Sequence, residues 1–239
     1  MEDTYLYGIH PVLETLTANR RTFYEALVQT GLRHPRAKQL RAALTQRKIP
    51  IRDVDKHELA QTAKTREHQG VVLRCGDFPY SPLELAWREK LVLLLDNVED
   101  PHNIGALLRS AEGMGIKHVL LPQKGCPGIY ASVVKASAGA AEHMRITQDR
   151  NTTSYYKLAR KEGFQVAALD GSGTISLPDW EPPQDPLLLV IGGEDRAVGQ
   201  YLLNEADQVL SIPQQGNVTS FNASVAGALA MYQWFLRKT

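Results

Sequence analysis

From Leu91 onward, short aliphatic runs alternate with longer amphipathic stretches: LVLLL (91–95), KHVLL (117–121), QVAAL (165–169), LLLVI (187–191) and QVLSI (208–212). Runs that are hydrophobic at every position, rather than at every second one, predict strands covered on both faces. The fold class expected is therefore α/β, with a mostly parallel sheet carrying helices on both faces. In such sheets ligands sit beyond the carboxyl ends of the strands. The loops after Leu95, Ile191 and Ile212 are where chemistry is to be sought.

The first part of the chain has a different rhythm. A helix over about 9–19, a strand at 23–29, a basic helix near 36–47, a strand at 49–54, a short helix from His57 and a strand at 70–74 make a small alternating α/β unit. The stretch CGDFPYSPLELAWREK (75–90) holds two prolines and a glycine without clean periodicity. The domains expected are 1–76, a linker over 77–90, and 91–239.

Each of the three loops carries polar residues beyond the needs of a turn. In DNVEDPHNIGALLRSAEGMG (96–115), Asp100-Pro101 turns the chain, Asn103 is placed to cap the following helix, and Arg109 falls two turns in. Taken singly, a cap and a surface cation would explain both. In GGEDRAVG (192–199), Gly192 and Gly193 permit a tight turn or a close approach, and Glu194 follows at once; an acidic first helical turn would also explain Glu194. The third loop runs from Pro213 through Gly216 to Ser220, Asn222 and Ser224, ahead of a helix expected to bury Val225, Ala228, Leu229, Tyr232, Phe235 and Leu236 as one stripe. Capping needs one of the three polar residues, so three exceed it.

Composition narrows the classes. With 239 residues, 43% hydrophobic and 22% charged, the chain is an ordinary globular one, and its longest aliphatic run is far too short to span a bilayer. The start lacks the basic and apolar regions of a signal peptide, so a cytoplasmic, reducing location is expected. Cys75 and Cys126 stand apart, and the seven histidines lack ligand spacing, so no metal is expected. There is no G-x-G-x-x-G after a strand, no Walker A loop, no G-x-S-x-G and no H-E-x-x-H. The net charge of +1 hides an asymmetry: residues 1–80 hold 13 Lys/Arg against 9 Asp/Glu, and residues 81–239 hold 14 against 17. The basic residues of the first part cluster in RHPRAKQLRAALTQRK (33–48), where Arg33, Arg36, Lys38 and Arg41 could follow a phosphate backbone or form a solvated helix face.

Together, in this order and at strand ends, DPHN…R, LLLVIGGE…G and IPQQGNVTSFNAS resemble the three motifs of the SpoU (TrmH-type) branch of the SPOUT RNA methyltransferases. The opening, with GIHPVLETL and EHQGVVLR, is similar to the N-terminal RNA-binding domain, of ribosomal-protein type, of the bacterial 23S rRNA guanosine-2′-O-methyltransferases. The resemblance implies a C-terminal trefoil knot, a homodimer formed through the catalytic domain, and S-adenosylmethionine as cofactor. It implies methyl transfer to a ribose 2′-OH of RNA, a guanosine of large-subunit rRNA foremost. Arg109 becomes the catalytic arginine, with Glu194, Asn103, Ser220 and Asn222 as its companions. Gly192, Gly193, Ile212, Pro213, Gly216 and Phe221 become the cofactor-binding set. Phe221, Ala223 and Gln214 stand where the family usually has Leu, Val and Met. A tRNA ribose methyltransferase, a resistance-type rRNA methyltransferase and a non-catalytic RNA-binding assembly protein are the alternatives.

Overall fold

The structure is a computed structural model and describes residues 3–194, 196–217 and 220–237. The chain divides into two compact units, one holding the residues up to Pro79 together with Ile129–His143, the other Tyr80–Gly128 and the residues from Met144 onward. Nothing in the sequence pattern anticipates that 129–143 packs within the first unit.

In that first unit, β1 (Thr4–Tyr7), α1 (Ile9–Ala18), β2 (Phe23–Gln29), α2 (Ala37–Gln46), β3 (Ile51–Val54), α3 (Lys56–Ala63) and β4 (Val71–Cys75) follow one another. The sheet order is β1-β4-β2-β3, antiparallel except for the β2–β3 pair. Alternation sets its two faces: Leu27 and Val72 pack with Val54 and Leu59, while Ala26, Val28 and Leu73 are buried at the intervening positions. A guanidinium is sealed into this unit. Arg21 donates from Nε and Nη2 to the Glu142 carboxylate, at 2.7 Å for the shorter contact, with both side chains wholly buried and the Phe78 ring 5.2 Å from the guanidinium. Its Nη1 donates to the Gly76 carbonyl, so the paired ions are also hydrogen-bonded.

The second unit is built on β5 (Leu91–Asp96), α4 (Pro101–Gly113), β6 (His118–Leu120), β7 (Arg145–Thr147), α6 (Thr152–Lys161), β8 (Gln165–Leu169), β9 (Ile175–Ser176), β10 (Leu187–Gly192), α7 (Gln200–Glu205), β11 (Gln208–Ser211) and α8 (Ala223–Arg237). The helix α5 (Ala131–Ala136), between β6 and β7 in sequence, belongs to the first unit. The seven strands lie in the order β7-β6-β5-β10-β8-β11-β9, and every pairing is parallel. Continuous burial along β5 and β10 accounts for the uninterrupted aliphatic runs. On one side Val92, Leu94, Leu188 and Val190 meet Tyr155, Phe164 and Leu202; the rings of Trp87 and Phe164 cross edge to face at 5.4 Å. The chain leaves β5 toward β6, whereas β10 lies on the other side. Their carboxyl ends flank a crevice of the kind in which such sheets hold ligands.

His118 is buried in this unit and donates from Nε2 to Thr147 Oγ1 at 2.9 Å; the direction follows because that hydroxyl donates its own proton to the Ser81 carbonyl at 2.8 Å. Burial pushes His118 down to about 4, with the Arg145 charge adding to the effect.

The α8 helix departs from expectation. Val225, Leu229, Tyr232, Phe235 and Leu236 are exposed by 40–50%, while Ala223, Gly227, Ala230, Met231 and Trp234 face inward. Small residues on the buried face let α8 close tightly on α4: a Cβ at Gly227 would lie 2.4 Å from Leu107 Cδ2 and 2.9 Å from Ile191 Cδ1. Both faces of this helix are apolar, so periodicity marks the stripe without saying which face turns inward. Among the described residues, no helix is long and apolar enough to cross a membrane.

Candidate active site

Asp96, the last residue of β5, organises the crevice. It is 4% exposed, and its carboxylate accepts from Thr152 Oγ1 at 2.7 Å and from Gly199 N–H at 2.9 Å. Its carbonyl accepts from Gly193 N–H at 3.0 Å. The Glu194 loop is thus pinned at both ends by one residue. The paired glycines ahead of Glu194 serve a close approach rather than a positive φ. A Cβ at Gly193 would lie 2.0 Å from the Asn97 carbonyl oxygen, and one at Gly192 would lie 2.4 Å from Val198 N.

The three polar residues of the three loops meet at Glu194. Asn103 Nδ2 donates to Glu194 Oε1 at 2.7 Å, and Asn222 Nδ2 donates to the same oxygen. Asn222 Nδ2 also donates to Asn103 Oδ1 at 2.9 Å, which closes the circuit. The orientation of the Asn222 amide is fixed from its far side, since its Oδ1 accepts from Ser224 N–H at 3.0 Å, Ser224 Oγ at 2.5 Å and Val225 N–H at 3.3 Å. Asn222 is therefore both the cap of α8 and a donor to Glu194, and the two readings of this residue hold together.

Asn103 does not cap α4, contrary to the sequence expectation. The cap of α4 is Asp100, whose carboxylate accepts from His102 N–H at 2.9 Å, with Pro101 in the first helical position. Asn103 lies within the first turn, 9% exposed, and its amide is given over to Glu194 and Asn222.

Two clefts share the Gly193–Glu194 segment as a wall. One is lined by Gly192, Ile212, Ser220 and Phe221, together with Leu169, Asp170 and Gly171 at the end of β8. The other is lined by Asn97, Glu99, Asp100, Asn103 and Arg196. Pro213 and Gly216 line neither cleft. The contribution of β8 was missed from sequence, although D-G-S-G directly after the aliphatic run QVAAL has the form of the other strand-end loops. Asp170 shapes this turn by accepting from Ser172 N–H at 2.9 Å.

Arg109 is exposed on α4 and lines neither cleft. Cys126, whose thiol donates to the Leu95 carbonyl at 3.0 Å, is pushed up to about 12 by burial, which removes it as a thiolate nucleophile. Among the described residues no group of His, Cys, Asp and Glu is placed to hold a metal ion. In the first unit, Arg33 and Lys38 are exposed, Arg36 lies 3.0 Å from His10 Nδ1, and Arg41 is paired with Asp53.

The model of the SpoU rRNA methylase family matches residues 90–232, and that for RNA 2′-O ribose methyltransferase substrate binding matches residues 5–81. A Bacillus subtilis protein, YacO, assigned to the TrmH family of tRNA/rRNA methyltransferases, is 30% identical over 98% of this chain and 96% of its own. The AdoMet-bound rRNA methyltransferase of Sinorhizobium meliloti superposes with a TM-score of 0.80 at 22% identity, covering 97% of this chain and 86% of the other. A TrmH/SpoU tRNA-modifying enzyme of A. aeolicus gives 0.55 at 24% identity, covering 62% of this chain and 75% of the other.

Proposed function

Because the chain belongs to the SpoU rRNA methylase family, as an RNA 2′-O-ribose methyltransferase, we propose that its substrate is large-subunit rRNA, methylated on a guanosine ribose. The observation that carries the catalytic part is the Asn103–Glu194–Asn222 circuit, set in the wall between two clefts.

The cleft toward β8 suits S-adenosylmethionine. Leu169, Ile191, Ile212, Phe221 and Ala226 give apolar walls for a flat base, main-chain groups at Gly192 and Gly193 border it, and Asp170 adds an acceptor for hydroxyls. Phe221, 41% exposed, is the bulkiest of these walls. The cofactor supplies a methyl group already activated by the sulfonium charge. What remains for the protein is to orient a ribose and to make a poorly acidic hydroxyl nucleophilic.

The cleft toward α4 receives the ribose in this reading. Glu194, with Oε1 held by two amides, is presented at the shared wall as an acceptor for the 2′-hydroxyl, and Ser220 lines the cofactor cleft. Arg109 is exposed and lines neither cleft, so its role is to hold a substrate phosphate beside them; a guanidinium, effectively always charged, is suited to that and not to proton abstraction. The trefoil knot and a cytoplasmic setting belong to the same reading.

The exposed stripe of α8 supports a homodimer. Five large apolar side chains lie along it, and the rings of Tyr232 and Phe235 stack at 6.4 Å. Tyr232→Glu is expected to shift sedimentation from dimer to monomer.

Support for rRNA over tRNA comes from coverage. The rRNA methyltransferase of Sinorhizobium meliloti matches 97% of this chain and the tRNA-modifying enzyme 62%. Mapping 2′-O-methyl groups on rRNA and tRNA, with and without this protein, tests the assignment. A methyl group appearing on tRNA alone, or on neither RNA despite cofactor binding, would overturn it.

A further inference from the structure

We propose that the start of α1 is a phosphate clamp for the RNA backbone, built from His10, Arg36, Gln69 and Lys135, an inference that rests on the RNA-substrate reading above. Gly8 precedes α1 at φ 95° and offers no side-chain cap. Its lack of a Cβ is required twice, by that φ and by space: a Cβ there would lie 2.9 Å from Lys135 Nζ and 3.3 Å from Gln69 Oε1. The Lys135 ammonium is thereby brought over the backbone at Gly8, more than 120 residues away in sequence but within the same compact unit.

The groups gathered here are donors whose acceptors are already used. Gln69 Oε1 accepts from Ile9 N–H at 3.1 Å, which leaves its amide NH₂ without a partner among the described residues. Arg36 Nη1 donates to His10 Nδ1 at 3.0 Å, so a neutral His10 carries its proton on Nε2. Arg36 is exposed, and Lys135 is half-buried with no carboxylate in ion-pair reach among the described residues. Burial pushes Lys135 down, and the charge of exposed Glu67, the nearby anion, opposes this. Several other cations of the unit are already answered: Arg41 by Asp53, Arg52 by Glu58 and Glu25, Arg74 by Asp3, and His143 by Glu14. Donors outnumber acceptors here, with Glu67 the anion nearby, and that balance suits a phosphodiester, whose oxygens only accept; a base edge would need both. Lys135 thus replaces Arg41 among the residues that meet RNA.

The test measures binding of the full-length protein to unmodified transcripts of large-subunit rRNA and of tRNA across a range of salt. Lys135→Gln and Arg36→Gln are each expected to weaken rRNA binding about five- to tenfold and to lower the slope of log affinity against log salt by about one. Lys135→Arg keeps most of the affinity, Arg41→Gln changes it by less than about twofold, and cofactor binding is unchanged throughout. Wild-type affinity and slope in both Lys135→Gln and Arg36→Gln would overturn the clamp. So would capture of poly-glutamate that competes equally with RNA and is lost in Lys135→Gln, which would assign the site to an acidic protein segment. A wild-type protein that binds neither transcript would instead overturn the RNA reading itself.

Discussion

Glu142 and Glu194 are both carboxylates held by side-chain nitrogen donors, and they differ in what surrounds them. Glu142 is sealed against Arg21 with neither side chain exposed, and it lines neither of the two clefts. Glu194 is held as closely, by Asn103 and Asn222, but its partners are neutral amides and it forms the wall of two clefts. A buried ion pair consumes the charge it contains, whereas amide donors fix a carboxylate's position and leave its charge for a ligand. Access and the charge of the partner, rather than the number of hydrogen bonds, separate a structural carboxylate from a chemical one.

Substitutions can break that contrast. Glu142→Ala leaves the Arg21 guanidinium buried and unpaired, and should cost about 3–5 kcal/mol of stability. Thermal unfolding would show the loss, while methyl transfer per folded molecule stays near wild type. Glu194→Gln should do the opposite, lowering turnover by about a hundredfold with Tm shifted by only a few degrees. Gly193→Ala sharpens the point, because its Cβ would lie 2.0 Å from the Asn97 carbonyl oxygen and must displace the loop that carries Glu194. Turnover should fall at least tenfold, by about 1.4 kcal/mol or more in the barrier, even though every polar residue remains.

A further prediction concerns pH. His118 is held neutral, at about 4 against 6.5 for the free side chain, so the unfolded chain binds the proton more readily. Its contribution is fully present above about pH 6.5 and is lost as pH falls toward 4, by up to about 3 kcal/mol. Urea unfolding at several pH values should show that slope, and His118→Gln should flatten it. The smallest effect belongs to a cap: Asn151 accepts from Ser154 N–H at 2.8 Å at the start of α6, and Asn151→Ala should cost about 1 kcal/mol of stability with no change in turnover.

The sequence made the second unit's sheet legible because β5, β8 and β10 are covered on both faces, and such strands need apolar residues at every position. The short strands β1, β7 and β9, of 4, 3 and 2 residues, carry too few positions for a pattern. Asn103 shows a second limit. Asp100, Pro101 and Asn103 offer two cap candidates within one turn, and the chain uses Asp100, freeing Asn103 for Glu194. The stripe on α8 shows a third, since a helix apolar on two faces does not announce which one its own chain covers. The approach of Lys135 to Gly8 depends on how 129–143 packs, and no local pattern encodes that.

The circuit joining three strand-end loops at Glu194 is proposed as the methyl-transfer centre. Single-turnover transfer from S-adenosylmethionine to an unmodified large-subunit rRNA transcript, measured beside the cofactor Kd for wild type and Glu194→Gln, tests it most directly. The expected rate is about a hundredfold lower, with a Kd within about threefold of wild type. An undiminished rate in Glu194→Gln would contradict it.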